Sequence, residues 1–277
     1  MSKIAVVTDS IASLPPELIK KYNIVVAPCY VIWDKVQYRD GVDMTAQEAF
    51  ARLKTSKSIP TTTSAIQGEF VKIYQDFKGK VDGIAVITVT GGMGACYNVA
   101  LAAREMFPGM NIEVVDSRSC YLGQGMPAIE AAKVAEASGD LKATVKAAQA
   151  IVTKMQTIFY VDGTEYLKKC GRVNLPQEVL DKWQKTRVLM IVKDGKLDPH
   201  QIQGDPINQM IDTLDQMTAG GTGALHMGIV HGDLDSTDFE QKLRARYKPV
   251  EVLTCTQTPV AGVHTGPGMM GVSFYRK

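Results

Sequence analysis

The chain has 277 residues, of which 45% are apolar and 22% charged, a size and composition that suit one large globular domain or two lobes. Its 31 basic and 29 acidic residues leave a net charge of +2 with no dense basic run, so nucleic-acid binding is not expected. No stretch of about 18 apolar residues occurs and residues 4–7 are too short for a signal-peptide core, so we expect a cytoplasmic protein without stable membrane insertion.

Short β-branched runs alternate with helical patterns in the first half of the chain. A capping box at Thr45 and Glu48 marks the start of one predicted helix, because the two side chains can satisfy each other's backbone N–H groups. This alternation predicts a mostly parallel sheet with helices on both faces. The predicted strands are 4–8, 24–31, 84–90 and 111–116, and the predicted helices lie near 15–22, from 45 onward, and near 68–77, 96–106 and 123–137.

The second half has a different pattern, which predicts an α/β lobe with a mixed sheet. A long helix over 140–155 is expected to link an N-terminal α/β lobe, residues 1–155, to this C-terminal lobe, residues 156–277. The dipeptide Asp194-Gly195 favours a tight hairpin turn. Strands are predicted at 157–161, 187–192, 225–230, 251–255 and 271–275, and helices at 206–217 and 236–247.

Two clusters of polar side chains follow predicted strands, where the loops of an α/β sheet bind ligands. In the first, Thr8-Asp9-Ser10, we expect helix capping by Ser10 or Ser13 and acceptance of backbone N–H bonds by Asp9. The second, Thr61 to Ser64, offers four consecutive hydroxyls after a proline. These hydroxyls could hold a carboxylate or phosphate, or could form a solvated turn.

Two glycine-rich segments are further candidates. The turn Gly91 to Gly94 leads into a predicted helix, whose N-terminus could bind an anion, but no Lys-Ser/Thr pair follows and ATP is not expected. The segment Gly262 to Gly268 predicts a functional loop around His264. The five cysteines are scattered without a CxxC pair, and no His, Asp or Glu cluster has metal-ligand spacing. We therefore expect reduced thiols, no metal and no cofactor.

These segments, in this order, resemble the DegV family over essentially the whole chain. Each motif is weakly specific, but six in register form a specific signal. The motifs are Thr8-Asp9-Ser10 with residues 14–18, residues 38–43, residues 60–64 continuing to Phe70, Val115-Asp116-Ser117 followed by Gly123 and Gly125, residues 165–172, and residues 262–268.

The resemblance implies a two-lobed carrier, not an enzyme, with a long-chain fatty acid buried between the lobes. Such a carrier presents the acyl carboxylate to a separate fatty acid kinase. By position, Thr62 would bind the carboxylate within a loop that includes Thr63, His264 would lie beside it, and Arg172 would lie near the pocket mouth. One departure concerns Gly94, which stands where the family has a serine that contacts the carboxylate, so one hydrogen bond to the ligand is in question.

Two other functions are compatible with the residues alone. A small hydrolase or acyl transferase could use Thr62 as the nucleophile and His264 as its base. A regulator could bind a phosphate-containing ligand at the Gly91–Gly94 turn. Retention of a ligand without turnover would separate the carrier from the enzyme, and dependence on phosphate would identify the regulator.

Overall fold

The computed structural model of the chain describes residues 3–58, 60–161, 163, 165–166, 173, 176–183 and 187–277. A short 3-10 turn, Ser10–Ala12, follows the first strand. The elements of the first part are β1 (Ile4–Asp9), α1 (Pro16–Lys21), β2 (Ile24–Ala27), β3 (Tyr30–Trp33), β4 (Val36–Arg39), α2 (Ala46–Thr55), β5 (Thr61–Thr63), α3 (Gln67–Phe77), β6 (Gly83–Thr88), α4 (Cys96–Arg104), β7 (Ile112–Asp116), α5 (Leu122–Ser138) and α6 (Leu141–Val152).

Four of these strands form a parallel sheet in the order β2-β1-β6-β7. Every residue of β6 is buried, which explains why its sequence is apolar throughout and does not alternate with polar residues. The chain order reverses between β1 and β6, because β2 lies on one side of β1 and the later strands lie on the other. In a parallel sheet this reversal opens a crevice at the carboxyl ends of the two strands.

The prediction of one strand over residues 24–31 is wrong. The segment bends at Pro28-Cys29, so that β2 stays in the parallel sheet and β3 joins a small antiparallel sheet of order β4-β3-β5. A proline offers no N–H for continuing the ladder, which favours a break at that point. The hydroxyl segment Thr61 to Thr63 is likewise a strand, paired with β3, and not a free loop.

The second part of the chain builds a six-stranded mixed sheet in the order β10-β9-β8-β13-β11-β12. At the predicted hairpin, Asp194 and Gly195 both have positive φ, of 51° and 75°, as a type I′ turn requires. The elements are β8 (Gln156–Val161), α7 (Gln177–Lys182), β9 (Val188–Lys193), β10 (Lys196–Gln201), α8 (Pro206–Thr218), β11 (Leu225–His231), α9 (Thr237–Tyr247), β12 (Glu251–Thr256), α10 (Pro259–Thr265) and β13 (Met270–Arg276).

Helix α5 lies between the two sheets and packs against β1 and β6 on one side and β11 and β13 on the other. Its first eight residues are all buried, which fits its apolar sequence. Strand β8 alternates between two cores: Phe159 and Val161 belong to the core around the parallel sheet, whereas Ile158 and Tyr160 belong to a second core. The sheets divide at the α6–β8 connection, and the assignment of lobes to residues 1–155 and 156–277 stays a prediction.

The capping box predicted at the start of α2 is confirmed. Thr45 accepts the Glu48 N–H at 3.2 Å while the Glu48 carboxylate accepts the Thr45 N–H at 2.8 Å, which completes the capping box of α2. Asp140 caps α6 by accepting the Ala143 N–H. Within the described part of the chain, no helix combines the length and apolar character needed to cross a membrane.

Candidate functional site

A cavity lies at the carboxyl ends of β1 and β6, where the order of the parallel sheet reverses. The empty space within the cavity and at its mouth, where it is open to solvent, totals about 700 Å³. Ile11 follows β1 and Val89 follows β6, while Phe159 and Leu197 come from the six-stranded sheet. Both sheets therefore contribute walls to the same cavity.

One end of the cavity is polar. The Thr62 hydroxyl oxygen lies 2.7 Å from Nε2 of His264, although 202 residues separate the two in sequence. Thr63, Ser64 and Gly94 line the same end, and all three are half-buried. A hydroxyl and an imidazole N–H can each donate to one carboxylate, so this end can hold an acidic head group.

His264 lies on a helix, so the prediction of a loop over residues 262–268 is wrong for its first part. Helix α10 spans Pro259–Thr265, with proline at its first turn where a missing N–H does no harm, and it ends at Gly266 with a φ of 79°. Gly262 faces the Phe50 ring so closely that a β-carbon there would overlap the ring. The glycines thus serve helix packing and termination, and they hold His264 at the cavity.

Asp40 anchors the start of α10 from the N-terminal part of the chain. Its Oδ1 accepts the Val260 N–H at 2.9 Å and its Oδ2 accepts the Ser10 hydroxyl at 2.6 Å. The helix cap residue, Thr258, provides no side-chain cap of its own. Asp40 therefore caps a helix distant in sequence, and burial raises the pKa of its carboxyl to about 6 despite these bonds.

The turn after β6 contains Gly94, the position at which the family resemblance implies a serine. A β-carbon at this position would lie 3.4 Å from the Ser64 Oγ and 3.6 Å from a Val89 methyl, which is ordinary contact. The Ser64 Oγ accepts the Ala95 N–H at 2.9 Å, at the start of α4. The Ser64 hydroxyl therefore lies beside position 94, and it belongs to the segment that could either hold a carboxylate or phosphate or form a solvated turn.

The rest of the cavity wall is mostly apolar. Met93 lines it from the turn after β6, and aliphatic and aromatic side chains from both sheets and from α10 contribute further apolar surface. The Tyr121 and Phe159 rings meet edge to face, with centroids 5.3 Å apart. The remaining buried apolar lining residues are Cys29, Val89, Cys96, Cys120, Val161, Val260 and Ala261.

Four of the five predicted ligand-binding residues line this one cavity: Thr62, Thr63, Gly94 and His264. Arg172 lies outside the described residues. Their role in binding stays a prediction, but the fold brings them together from three separate elements. The residues of the apolar wall were not predicted, because in the sequence each of them is indistinguishable from an ordinary core residue. Only the packing of the two sheets shows that they line a cavity.

The outcome at Thr8-Asp9-Ser10 is mixed. As predicted, Asp9 accepts backbone N–H bonds, from Ile11 at 3.1 Å and from Val89 at 2.8 Å. Burial raises its carboxyl pKa to about 6. The prediction that Ser10 or Ser13 caps a helix is wrong. The Ser10 hydroxyl accepts the Cys29 N–H and donates to Asp40, and the Ser13 hydroxyl donates to the Ile11 carbonyl. Nothing in the local sequence indicates these distant partners.

Comparisons with known proteins agree on one family. A sequence model described as an uncharacterised protein of the DegV family matches residues 3–277. A DegV domain-containing protein of Caldanaerobacter subterraneus is 30% identical, with all of both chains covered. A Thermotoga maritima structure described as revealing fatty acid binding function is 26% identical, covers 100% of both chains and has a TM-score of 0.87. A fatty-acid-binding Thermus thermophilus protein of 24% identity shares the fold at a TM-score of 0.90, covering 99% of this chain and 100% of its own.

Proposed function

Because this chain belongs to the DegV family, we propose that it is a cytoplasmic carrier, not an enzyme, that binds a long-chain fatty acid in the cavity between the two sheets. The observation that carries the proposal is the polarity of that cavity. A half-buried polar part of its wall presents Thr62 and His264, and most of the remaining lining is apolar. This is the arrangement that an acyl chain with a single carboxylate needs.

The two ends contribute differently to binding. The carboxylate would accept from the Thr62 hydroxyl and the His264 ring, with Thr63, Ser64 and the Gly94 turn around it. Each such bond to a charged group contributes about 1.5–3 kcal/mol. The tail would lie along the apolar wall, where each buried CH₂ contributes about 0.8 kcal/mol. Chain length would therefore set most of the affinity, and the polar end would set the orientation.

A partner kinase would depend on the orientation of the bound fatty acid, because it must reach the carboxylate. Gly91, Gly92 and Ala95 are exposed beside the head-group residues, so this end of the cavity faces the surface. We propose that the carrier presents the carboxylate there to a separate fatty acid kinase, which transfers the γ-phosphoryl group of ATP to the carboxylate and releases ADP. Arg172, at the position that the family resemblance relates to the pocket mouth, is a candidate contact for that partner.

The first test is denaturing extraction of the purified protein followed by mass spectrometry of the released small molecules. The expected result is a fatty acid near one equivalent, which is retained without conversion. Delipidated protein should then bind fatty acids with an affinity that rises with chain length, and His264→Ala and Thr62→Val should weaken that binding about tenfold or more. No extracted lipid, together with no binding of added long-chain fatty acids, would overturn the carrier.

A second candidate is an acyl transferase or hydrolase, which the 2.7 Å contact between Thr62 and His264 favours. Among the described residues that line the cavity, none is acidic. The extraction test separates the two functions. Turnover of an acyl ester or thioester that is lost in both Thr62→Val and His264→Ala would favour the enzyme over the carrier.

A further inference from the structure

Asp9, Cys29 and Cys96 meet at the carboxyl edge of the parallel sheet, although 20 and 67 residues separate them in sequence. Their carboxylate and thiol atoms all lie within 4.8 Å of one another, and all three residues are buried. The two sulfur atoms are 3.7 Å apart. The sequence pattern had indicated scattered thiols, and the fold instead joins two of them with a carboxylate.

We propose that these three side chains form a binding site for a thiophilic divalent cation, with Zn²⁺ as the best match. Tetrahedral zinc binds thiolate sulfur at about 2.3 Å, which places two such sulfurs about 3.8 Å apart. The observed separation of 3.7 Å therefore lets one ion bridge both sulfurs with little movement. A carboxylate oxygen is an ordinary third zinc ligand, and the fourth position is left for water.

The backbone holds each ligand in place before an ion arrives. Asp9 ends β1 and its two oxygens accept N–H bonds from Ile11 and Val89, the kind of outer support that orients metal-binding carboxylates. Cys29 follows Pro28, and its N–H and carbonyl are bonded to Ser10 and Asp40.

Cys96 is the first residue of the nine-residue helix α4, whose N-terminus favours a thiolate. All three ligands therefore lie on or beside regular elements.

The charge balance of the cluster also points to a cation. Three acidic groups are in contact, and no basic side chain among the described residues pairs with Asp9. An ion would break both S–H bonds, form two metal–sulfur bonds and release the protons to solvent, with no change in oxidation state.

The cluster contributes to the walls of two cavities. Cys29 and Cys96 line the cavity of the proposed acyl site, and Asp9 lines a second cavity. Cys120 also lines the first cavity and is also buried, but it is not part of the cluster. It is therefore a matched control thiol. The metal site does not depend on the acyl ligand and is testable without it.

The test uses the full-length, reduced and metal-free protein with Co²⁺ as a spectroscopic probe and Zn²⁺ as a competitor. Co²⁺ should produce a thiolate-to-cobalt charge-transfer band that saturates at one equivalent, and Zn²⁺ should abolish that band. The band should be lost in Cys29→Ser and Cys96→Ser, weakened in Asp9→Asn and unchanged in Cys120→Ser. No band in the wild type, or an equal loss in Cys120→Ser, would overturn the site.

A second measurement needs no variant, in case the buried substitutions prevent folding. Thiol alkylation of the wild-type protein is followed at each cysteine by mass spectrometry, with and without one equivalent of Zn²⁺. Zn²⁺ should slow the alkylation of Cys29 and Cys96 while leaving Cys120 and Cys255 unchanged. Equal protection of all four thiols, or protection of none, would contradict the proposal.

Discussion

Position 94 offers a direct test of where the carboxylate of the proposed fatty acid ligand would lie. We expect Gly94→Ser to tighten fatty acid binding, because the new hydroxyl would add a donor beside Thr62 and His264. The substitution fits the structure: the added β-carbon makes ordinary contacts of 3.4 Å and 3.6 Å with Ser64 and Val89, and Gly94 is not among the glycines with positive φ. The variant should therefore fold normally.

The size of the effect follows from the strength of one hydrogen bond to a charged acceptor. Such a bond contributes about 1.5–3 kcal/mol, which corresponds to about 10- to 150-fold in affinity. We expect Ser64→Ala to weaken binding by a similar factor, since its hydroxyl proton is available to the ligand while its oxygen accepts the Ala95 N–H. The double variant should return toward the wild-type affinity. The two effects need not add exactly in number, because the side chains are in contact.

The assay is displacement of a fluorescent fatty acid from delipidated protein at equilibrium, with thermal unfolding measured for each variant. Gly91→Ser is the matched control: it lies in the same turn, does not line the cavity and has room for a side chain at 3.5 Å from Asp116. Its affinity should match that of the wild type. Unchanged or weaker binding in Gly94→Ser, with normal stability, would refute a carboxylate at this end of the cavity.

Two further predictions concern stability. Because the folded-state pKa of the buried Asp40 is raised from 3.8 to about 6, the folded state binds more protons between these values, and about 3 kcal/mol of stability is lost as the pH rises through that window. The free energy of urea unfolding should show this pH dependence in the wild type but not in Asp40→Asn, and parallel dependences of the two proteins would contradict the prediction. Asp43→Asn is the control: the pKa of the Asp43 carboxyl is lowered to about 2, so this variant should keep the wild-type slope in that window. Gly262→Ala should lower the free energy of unfolding by about 1–3 kcal/mol, because the added methyl group would overlap the Phe50 ring. Gly68→Ala, in an open position of α3, is the control and should raise the free energy of unfolding by about 0.5–1 kcal/mol. Equal effects of the two substitutions would exclude the overlap.

The secondary structure was predictable wherever the signal was local. The Thr45–Glu48 capping box, the Asp194-Gly195 turn and the apolar run of β6 each depend on residues within one element, and each is found in the structure. The failures occurred where a distant partner decides the conformation. The Thr61–Thr63 segment is a strand because β3 lies beside it, and the antiparallel partner is set by the bend at Pro28.

The sequence by itself therefore determined the alternation of elements, the family and the segments that carry the polar side chains of the cavity wall. Only the tertiary structure decided which of those side chains meet. Thr62 and His264 are 202 residues apart and in hydrogen-bond contact, and Asp40 caps a helix that begins about 220 residues later. The contact between Cys29 and Cys96 is likewise formed only by the tertiary fold. The reason is physical: hydrogen-bond pairing and close packing act between neighbours in space, whereas the periodicity of a sequence reports only neighbours along the chain.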